Sequence, residues 1–295
     1  MLGTLSQISE ASLGVFRGRD AVDRGVTRKQ LARLHAARLV ERVLADTYRL
    51  SAVPRSSEQE LHAALLWAGD DAAAAGRLAG ALYWLEGVRA ETPEIVVPRT
   101  SRVRSPHVIV YRTEAHAALM LRQLRGLRVT GVEPTLVILA ATLDDEAFEI
   151  ACEDARRRRL TSVPALRAYL DRFAKAGRPG ISTMRRLLGE LDPTYPSRST
   201  LEVKARRLFV ANGVTNFVRE FPRKWNGTTY RYDFAFPTTR TIVETNGRRW
   251  HDDPLDYEHD NEKWSVPGRY GYRIVLATWA KVTERPGELL RDVAA

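Results

Sequence analysis

Two strand-like runs near the C-terminal end carry acids at a spacing that can do chemistry. Tyr230-Arg231-Tyr232-Asp233-Phe234-Ala235-Phe236 alternates with period two, and so does Thr241-Ile242-Val243-Glu244-Thr245-Asn246. Pro237 to Arg240 joins them as a four-residue turn. If Phe236 pairs with Thr241, antiparallel counting sets Asp233 opposite Glu244 on one face, with Cβ atoms roughly 4.5–5.5 Å apart. Carboxylates so placed repel, and a divalent cation between them removes the penalty. Mg²⁺ takes oxygen ligands and commonly uses one or two carboxylates with phosphate and water. Phosphodiester hydrolysis needs that arrangement, a Lewis acid on the phosphate and a polarised water. The expected metal ligands are Asp233, Glu244 and the carbonyl of Thr245, with Mg²⁺ or Mn²⁺ as the ion. Glu202, on a helix expected from near Ser199 to near Gly213, reaches the water shell of such an ion. His251 follows Gly247 and Trp250 just beyond the second strand, and Asp260 falls on the next expected helix. Plainer roles stand beside these. Asp233 and Glu244 can form salt bridges with Arg231, Arg248 or Arg273; His251 can be a turn histidine; Glu202, near Lys204 and Arg206, can be a solvated helix face.

A second constellation lies at the N-terminus. Gly25 follows a short helical stretch, Arg17 to Arg24, and Thr27-Arg28-Lys29-Gln30 comes next. Thr27 with Gln30 is a capping box, so a helix should start there. Leu31, Leu34 and Leu39 suit its buried side, while Arg28, Lys29 and Arg33 project outward. Val40 to Val43 and Thr47 to Leu50 read as two strands around Ala45-Asp46, a wing from which Arg42 and Arg49 can meet phosphates. A helix, a Gly turn and a second helix that begins with cations is the layout of a helix-turn-helix. The expected DNA-contacting residues are thus Thr27, Arg28, Lys29, Arg33, Arg42 and Arg49, with a basic helix in a structural domain as the plainer alternative.

The elements that must position these residues divide the chain in three. Residues 1–54 form the expected winged helix-turn-helix. Residues 55–190 are Ala- and Leu-rich and read as an α+β scaffold. Within them Ile95–Val97 and Val108–Val110 are strands, and Arg99, Arg102 and Arg104 lie in a basic loop between. Asp144 to Arg159 is an expected helix with acids early and arginines late, which suits its dipole; the Arg156–Arg159 run is read as a solvated helix end. Residues 197–295 follow the turn-like stretch LDPTYPSRS. Their expected order is helix, strand, strand, helix, strand, with the last strand at Tyr272 to Ala277. The expected class is mixed α/β.

Of 295 residues, 46 are Lys or Arg and 36 are Asp or Glu, a formal net charge of +10 that favours a polyanionic partner. The single cysteine, Cys152, rules out an intramolecular disulfide and a cysteine-rich zinc site. The longest apolar run, Leu136 to Leu143, is too short to span a bilayer. No basic n-region followed by an apolar h-region opens the chain, and the expectation is a cytoplasmic protein with no membrane partner.

Two resemblances sharpen this. The run GVFRGRDAVDRGVTRKQLARLHAARLVERVLADTYRL resembles the winged helix that opens AbiEi-type antitoxins of type IV toxin–antitoxin systems. It departs at the wing tip, where Ala45-Asp46 stands in place of an Arg-Gly-like pair. The resemblance implies duplex DNA as a partner and a cognate nucleotidyltransferase-like toxin as another. Residues 197–295 resemble the PD-(D/E)xK nuclease superfamily, most nearly the small domains related to very-short-patch-repair endonucleases. The pieces are SRSTLE, RYDFAFP, IVETNGRRWH and HDNEK. That resemblance implies a restriction-endonuclease-like α/β domain with Asp233 as central metal ligand and Glu244 as second acid. It also implies Glu202 holding a metal-bound water and His251 assisting proton transfer. The superfamily lysine, two residues after the second acid, is Asn246 here. Arg231, facing Asn246 by the same strand counting, can supply charge but not a base. Two functions therefore stay open: a metal-dependent DNA endonuclease, or a non-catalytic regulator or antitoxin on a degenerate nuclease fold.

Overall fold

A computed structural model describes residues 1–175, 177–246 and 262–294. The chain is a mixed α/β protein that folds as two compact units, Met1–Leu191 and Asp192–Ala295. His251, with Gly247, Arg248, Trp250 and Asp260, lies outside the described residues.

The first unit opens with α1 (Leu2–Ser9), β1 (Val15–Arg17), α2 (Gly18–Asp23), α3 (Arg28–Ala36), β2 (Val40–Leu44) and β3 (Thr47–Leu50). The strands make an antiparallel sheet in the order β1-β3-β2. Between α2 and α3 the chain turns through Gly25, whose φ of +86° is one that glycine adopts without a Cβ clash. Thr27 then caps α3. Its hydroxyl accepts from the Gln30 N–H, and Gln30 Oε1 accepts from the Thr27 N–H at 2.9 Å. Leu31 and Leu34 enter a core with Leu5, Phe16, Ala21, Val26 and Val40. Leu39, expected on the same buried side, is exposed, because the helix has ended at Ala36 and the helical period no longer places it.

The same unit continues with α4 (Ser57–Ala68), β4 (Ala73–Ala74), α5 (Gly76–Leu82), β5 (Glu94–Pro98), β6 (Ile109–Thr113), β7 (Arg122–Leu124) and β8 (Leu127–Val129). These five strands form a mixed sheet, β6-β5-β4-β8-β7, in which β5 and β6 run parallel. Four helices follow: α6 (Val132–Thr142), α7 (Asp145–Arg157), α8 (Val163–Phe173) and α9 (Ile181–Glu190). They enclose a core of Leu136, Leu139, Phe148, Cys152, Leu166 and Met184, among others. The arginine run that ends α7 is a solvated end only in part: Arg158 and Arg159 are exposed, whereas Arg156 is buried. Arg156 is buried against Glu153 at 2.5 Å, and Arg157 and Arg158 both bond Asp154.

The second unit contains α10 (Thr200–Ala211), β9 (Val218–Trp225), β10 (Thr228–Phe236), β11 (Thr241–Asn246), β12 (Arg273–Thr278), α11 (Trp279–Thr283) and α12 (Pro286–Ala294). Its sheet runs β12-β11-β10-β9, with β12 parallel to β11 and the remaining pairs antiparallel. The turn and register of the β10–β11 hairpin are those counted from sequence, with Phe236 opposite Thr241 and Phe234 opposite Val243. Strand β9 was not expected: it carries Pro222 and four charged residues. It is the edge strand, where a missing N–H costs no ladder bond.

The candidate acid site and the basic helix

Period-two alternation slips in β10. Tyr230 and Tyr232 pack with Ala235 and Ile242, whereas Phe234 and Phe236 pack on the other side with Val243 and Phe209. The change of side falls at Asp233. Opposite it on β9, Glu220 has φ +47°, an uncommon conformation for a residue with a side chain. The two irregularities sit together, and so do the acids. Glu202, Glu220 and Asp233 each offer a carboxylate oxygen within 4.8 Å of the others, and all three are buried.

Each acid is held by its own element. Glu202 is the third residue of α10, whose cap Ser199 accepts from the Glu202 N–H at 3.1 Å. The Glu202 carboxylate accepts in turn from the Arg198 N–H at 2.6 Å and lies 3.3 Å from Arg219 Nη2. Asp233 Oδ2 accepts from the Thr245 N–H at 2.8 Å and the Thr245 hydroxyl at 2.5 Å. Glu220 Oε1 is buried and accepts no hydrogen bond among the described residues; Arg198 Nε is 3.3 Å away, and Arg231 Nε is 3.8 Å from Oε2. Burial, reinforced by the charge of Asp233, pushes the Glu202 carboxyl up to about 7, against the pull of the Arg198 N–H and Arg219. Burial raises Glu220 as well, against Arg198.

Glu244 stands beside this group but is spent differently. Its Oε1 accepts from the Asp233 N–H at 3.0 Å, and its Oε2 lies 2.6 Å from Lys263 Nζ. Asp233 and Glu244 are thus neighbours, as the register requires, and each carboxylate takes a backbone N–H of the facing strand. Burial and Asp233 push Glu244 up to about 7, with Lys263 opposing. Thr245, expected to offer its carbonyl, meets Asp233 through its N–H and hydroxyl. Arg231, expected to face Asn246, lies instead over the Tyr195 ring at 4.5 Å and toward Glu220.

Two members of the site escaped the sequence reading. Glu220 was hidden because its strand did not look like one. Lys263 comes from a helical turn, residues 262–265, about twenty residues after Glu244. The HDNEK motif contains it, but nothing in spacing alone connects it to a strand acid. Three carboxylates with oxygens within 4.8 Å of one another, one of them with an oxygen that no hydrogen bond satisfies among the described residues, could hold a hard divalent cation.

At the N-terminal helix, Lys29 and Arg33 are exposed on α3, and Arg28 and Arg42 are exposed as well. Asp46 at the hairpin tip folds back. Its Oδ1 meets Arg28 Nη1 at 2.5 Å, and its Oδ2 accepts from the Arg19 N–H at the start of α2. Gly18 makes room for this, since a Cβ there would come within 2.3 Å of Asp46 Oδ1. The acid therefore fastens the hairpin to α2 and α3 and occupies Arg28. Arg49, expected to meet phosphates, is instead buried, and its guanidinium bonds Gln59 at 2.8 Å, Glu41 at 2.8 Å and the Val53 carbonyl. Strand alternation turns it inward, so it offers nothing to a phosphate.

No known family profile matches the chain, and no curated protein matches it. Among solved structures, one similar chain is the RV2827C protein from Mycobacterium tuberculosis, with 18% identity and a TM-score of 0.43. The likeness covers 68% of this chain and 78% of that one, and at that level it carries no argument about fold or function.

Proposed function

We propose that this chain is a DNA-binding protein with a winged helix-turn-helix at residues 1–54 and a metal-dependent, nuclease-like site at residues 197–295. The observation that carries the second half is the buried cluster of Glu202, Glu220 and Asp233 with Lys263 close by on Glu244. Burial first, and the neighbouring Asp233 after it, raise the carboxyls of Glu202 and Glu220, so a positive charge placed among these acids would be stabilised. A bound Mg²⁺ or Mn²⁺ would polarise a phosphodiester and lower the pKa of a coordinated water. Glu202, Glu220 and Asp233 would hold it. Lys263 supplies a cation that Asn246 cannot, and Glu244 orients its ammonium. The helix reading rests on the capped α3 with Lys29 and Arg33 exposed.

A second reading has its own observation. Arg198, Arg219 and Arg231 already face the acids. An arginine-compensated cluster is a scaffold, and the chain is then a non-catalytic regulator, in the manner of an antitoxin that binds DNA and a toxin partner. Cleavage of supercoiled plasmid in Mg²⁺ or Mn²⁺ separates the two. Wild type should nick or linearise it, and Asp233→Ala and Glu220→Gln should lose that activity with the fold intact by circular dichroism. No cleavage by wild type in either metal, or equal cleavage by all three, excludes the nuclease site.

A further inference from the structure

The basic loop between β5 and β6 is not a disordered tether of charges. Val103 packs inward against the cluster of Ala72, Ile95, Val97 and Val108. From the other side Arg112 clasps the loop, donating from Nε to the Ser101 carbonyl at 3.3 Å and from Nη2 to the Val103 carbonyl at 2.7 Å. Pinned twice, the loop leaves Arg102 and Arg104 exposed on either side of Val103. They line a cleft of about 1180 Å³ with Arg99, Arg112, Lys175 and Arg178. Among the described residues the one acid in that lining is Glu114, in an exposed pair with Arg99 at 3.2 Å. Solvent and salt screen such a pair, so it yields readily to a competing anion.

The position matters as much as the charge. Strands β5 and β6 are parallel, and Arg99, Thr100 and Glu114 directly follow their carboxyl ends. In sheets with parallel strands, ligands gather outside the carboxyl ends. Thr100, Ser101 and Thr113 add hydroxyls to the lining, while Phe173 is its one large apolar residue among those described. A protein partner needs an apolar centre to its interface. Guanidinium groups with hydroxyls and little apolar surface are what phosphate contacts use.

We propose that this cleft is a second nucleic-acid surface that takes the phosphate backbone of duplex DNA, read for charge and not for sequence. It rests on the reading of the chain as a DNA-binding protein, and it is independent of α3 and of the acid cluster.

The test is fluorescence anisotropy of the full chain with a 30-base-pair duplex of arbitrary sequence, from 50 to 200 mM salt. Two lost phosphate contacts lower the log–log salt slope by about 1.8, so the affinity lost across that range should be about twelvefold smaller in Arg102→Ala/Arg104→Ala than in wild type. Arg102→Lys/Arg104→Lys should keep most of the slope, since charge is what is read. Both residues are exposed, so an unchanged melting temperature separates lost binding from lost fold. Arg28→Ala/Lys29→Ala reports on α3 separately. A cleft variant with wild-type slope and affinity, beside a weakened α3 variant, overturns the cleft and leaves the helix standing. A weakened cleft variant beside an unaffected α3 variant supports the cleft and removes the helix. Displacement of the duplex by polyglutamate at equal charge concentration overturns the proposal in favour of an acidic protein partner. Absence of duplex binding by wild type overturns both surfaces.

Discussion

Lys263 Nζ lies 2.6 Å from Glu244 Oε2 and 5.3 Å from the centre of the Tyr232 ring, and its own carbonyl accepts from the Tyr232 hydroxyl. Both charged side chains are largely buried, at 13% and 8% exposure. Removing one partner of such a pair leaves the other uncompensated, at a cost of about 3–5 kcal/mol. Lys263→Met is therefore expected to destabilise the second unit by that amount at pH 8. At pH 5 the loss should be smaller. Glu244 is raised to about 7 even with Lys263 present, so without it the carboxyl takes up a proton and ceases to need a cation. Denaturant melts at the two pH values check this. An equal loss at both would mean that the lysine acts by packing over Tyr232 and not by charge. The same residue illustrates a limit of spacing. Asn246 sits where the resemblance places a lysine, and the lysine that meets Glu244 comes from a different element.

Strands β9 and β10 lose regularity at one level, Glu220 on one and Asp233 on the other, and α10 brings Glu202 to the same place. Unfolded, these carboxyls titrate near 4.5; folded, Glu202 and Glu244 titrate near 7, and Glu220 is raised. Between those values the folded state holds protons that the unfolded state has released. The stability of the second unit must therefore fall as pH rises from about 4.5 to about 7, by an amount on the order of a few kcal/mol. The expected result is a lower melting temperature at pH 8 than at pH 5 in EDTA, with millimolar Mg²⁺ recovering part of the difference at pH 8. A higher melting temperature at pH 8 in EDTA would show that Arg198, Arg219 and Arg231 hold the acids ionised at no cost. Helix α7 offers a separate check on packing. Cys152 is fully buried there, and burial pushes its thiol up to about 12. A thiol reagent at pH 8 should find no reactive group in the native chain and one in guanidinium. Fast native labelling would mean that α7 opens locally.

At the scale of the molecule, the second unit has its own core. Phe209, Phe234, Phe236, Val243, Val275 and Leu289 pack together on one side of its sheet, and Trp225, Tyr230, Tyr232 and Val266 on the other. No residue of either cluster precedes Leu201. A fragment of residues 192–295 should therefore fold alone, with dispersed amide resonances and a cooperative melt. A fragment that stays unfolded would show that the first unit supplies stability which these clusters do not reveal. Among the described residues no helix is long and apolar enough to cross a membrane, and the net charge of +10 favours a polyanionic partner.

What the sequence determined by itself was local. The Thr27–Gln30 capping box, the helix start near Ser199, the Pro237–Arg240 turn and the hairpin register follow from short-range chemistry, and each is in the structure. The neighbouring positions of Asp233 and Glu244 follow from that register. The tertiary structure decided everything that depends on which surface a residue meets. It turned Arg49 inward and exposed Leu39. It folded Asp46 back onto Arg28 and drew the α7 arginines onto buried acids. It admitted Val218–Trp225 as an edge strand despite Pro222, because an edge can lack a donor. It also assembled the acid site from Glu202, Glu220 and Asp233, with Lys263 beside Glu244. Period and propensity report how a segment folds. The partner of a buried charge is set by burial, since only removal from water makes a distant arginine or lysine worth more than solvent.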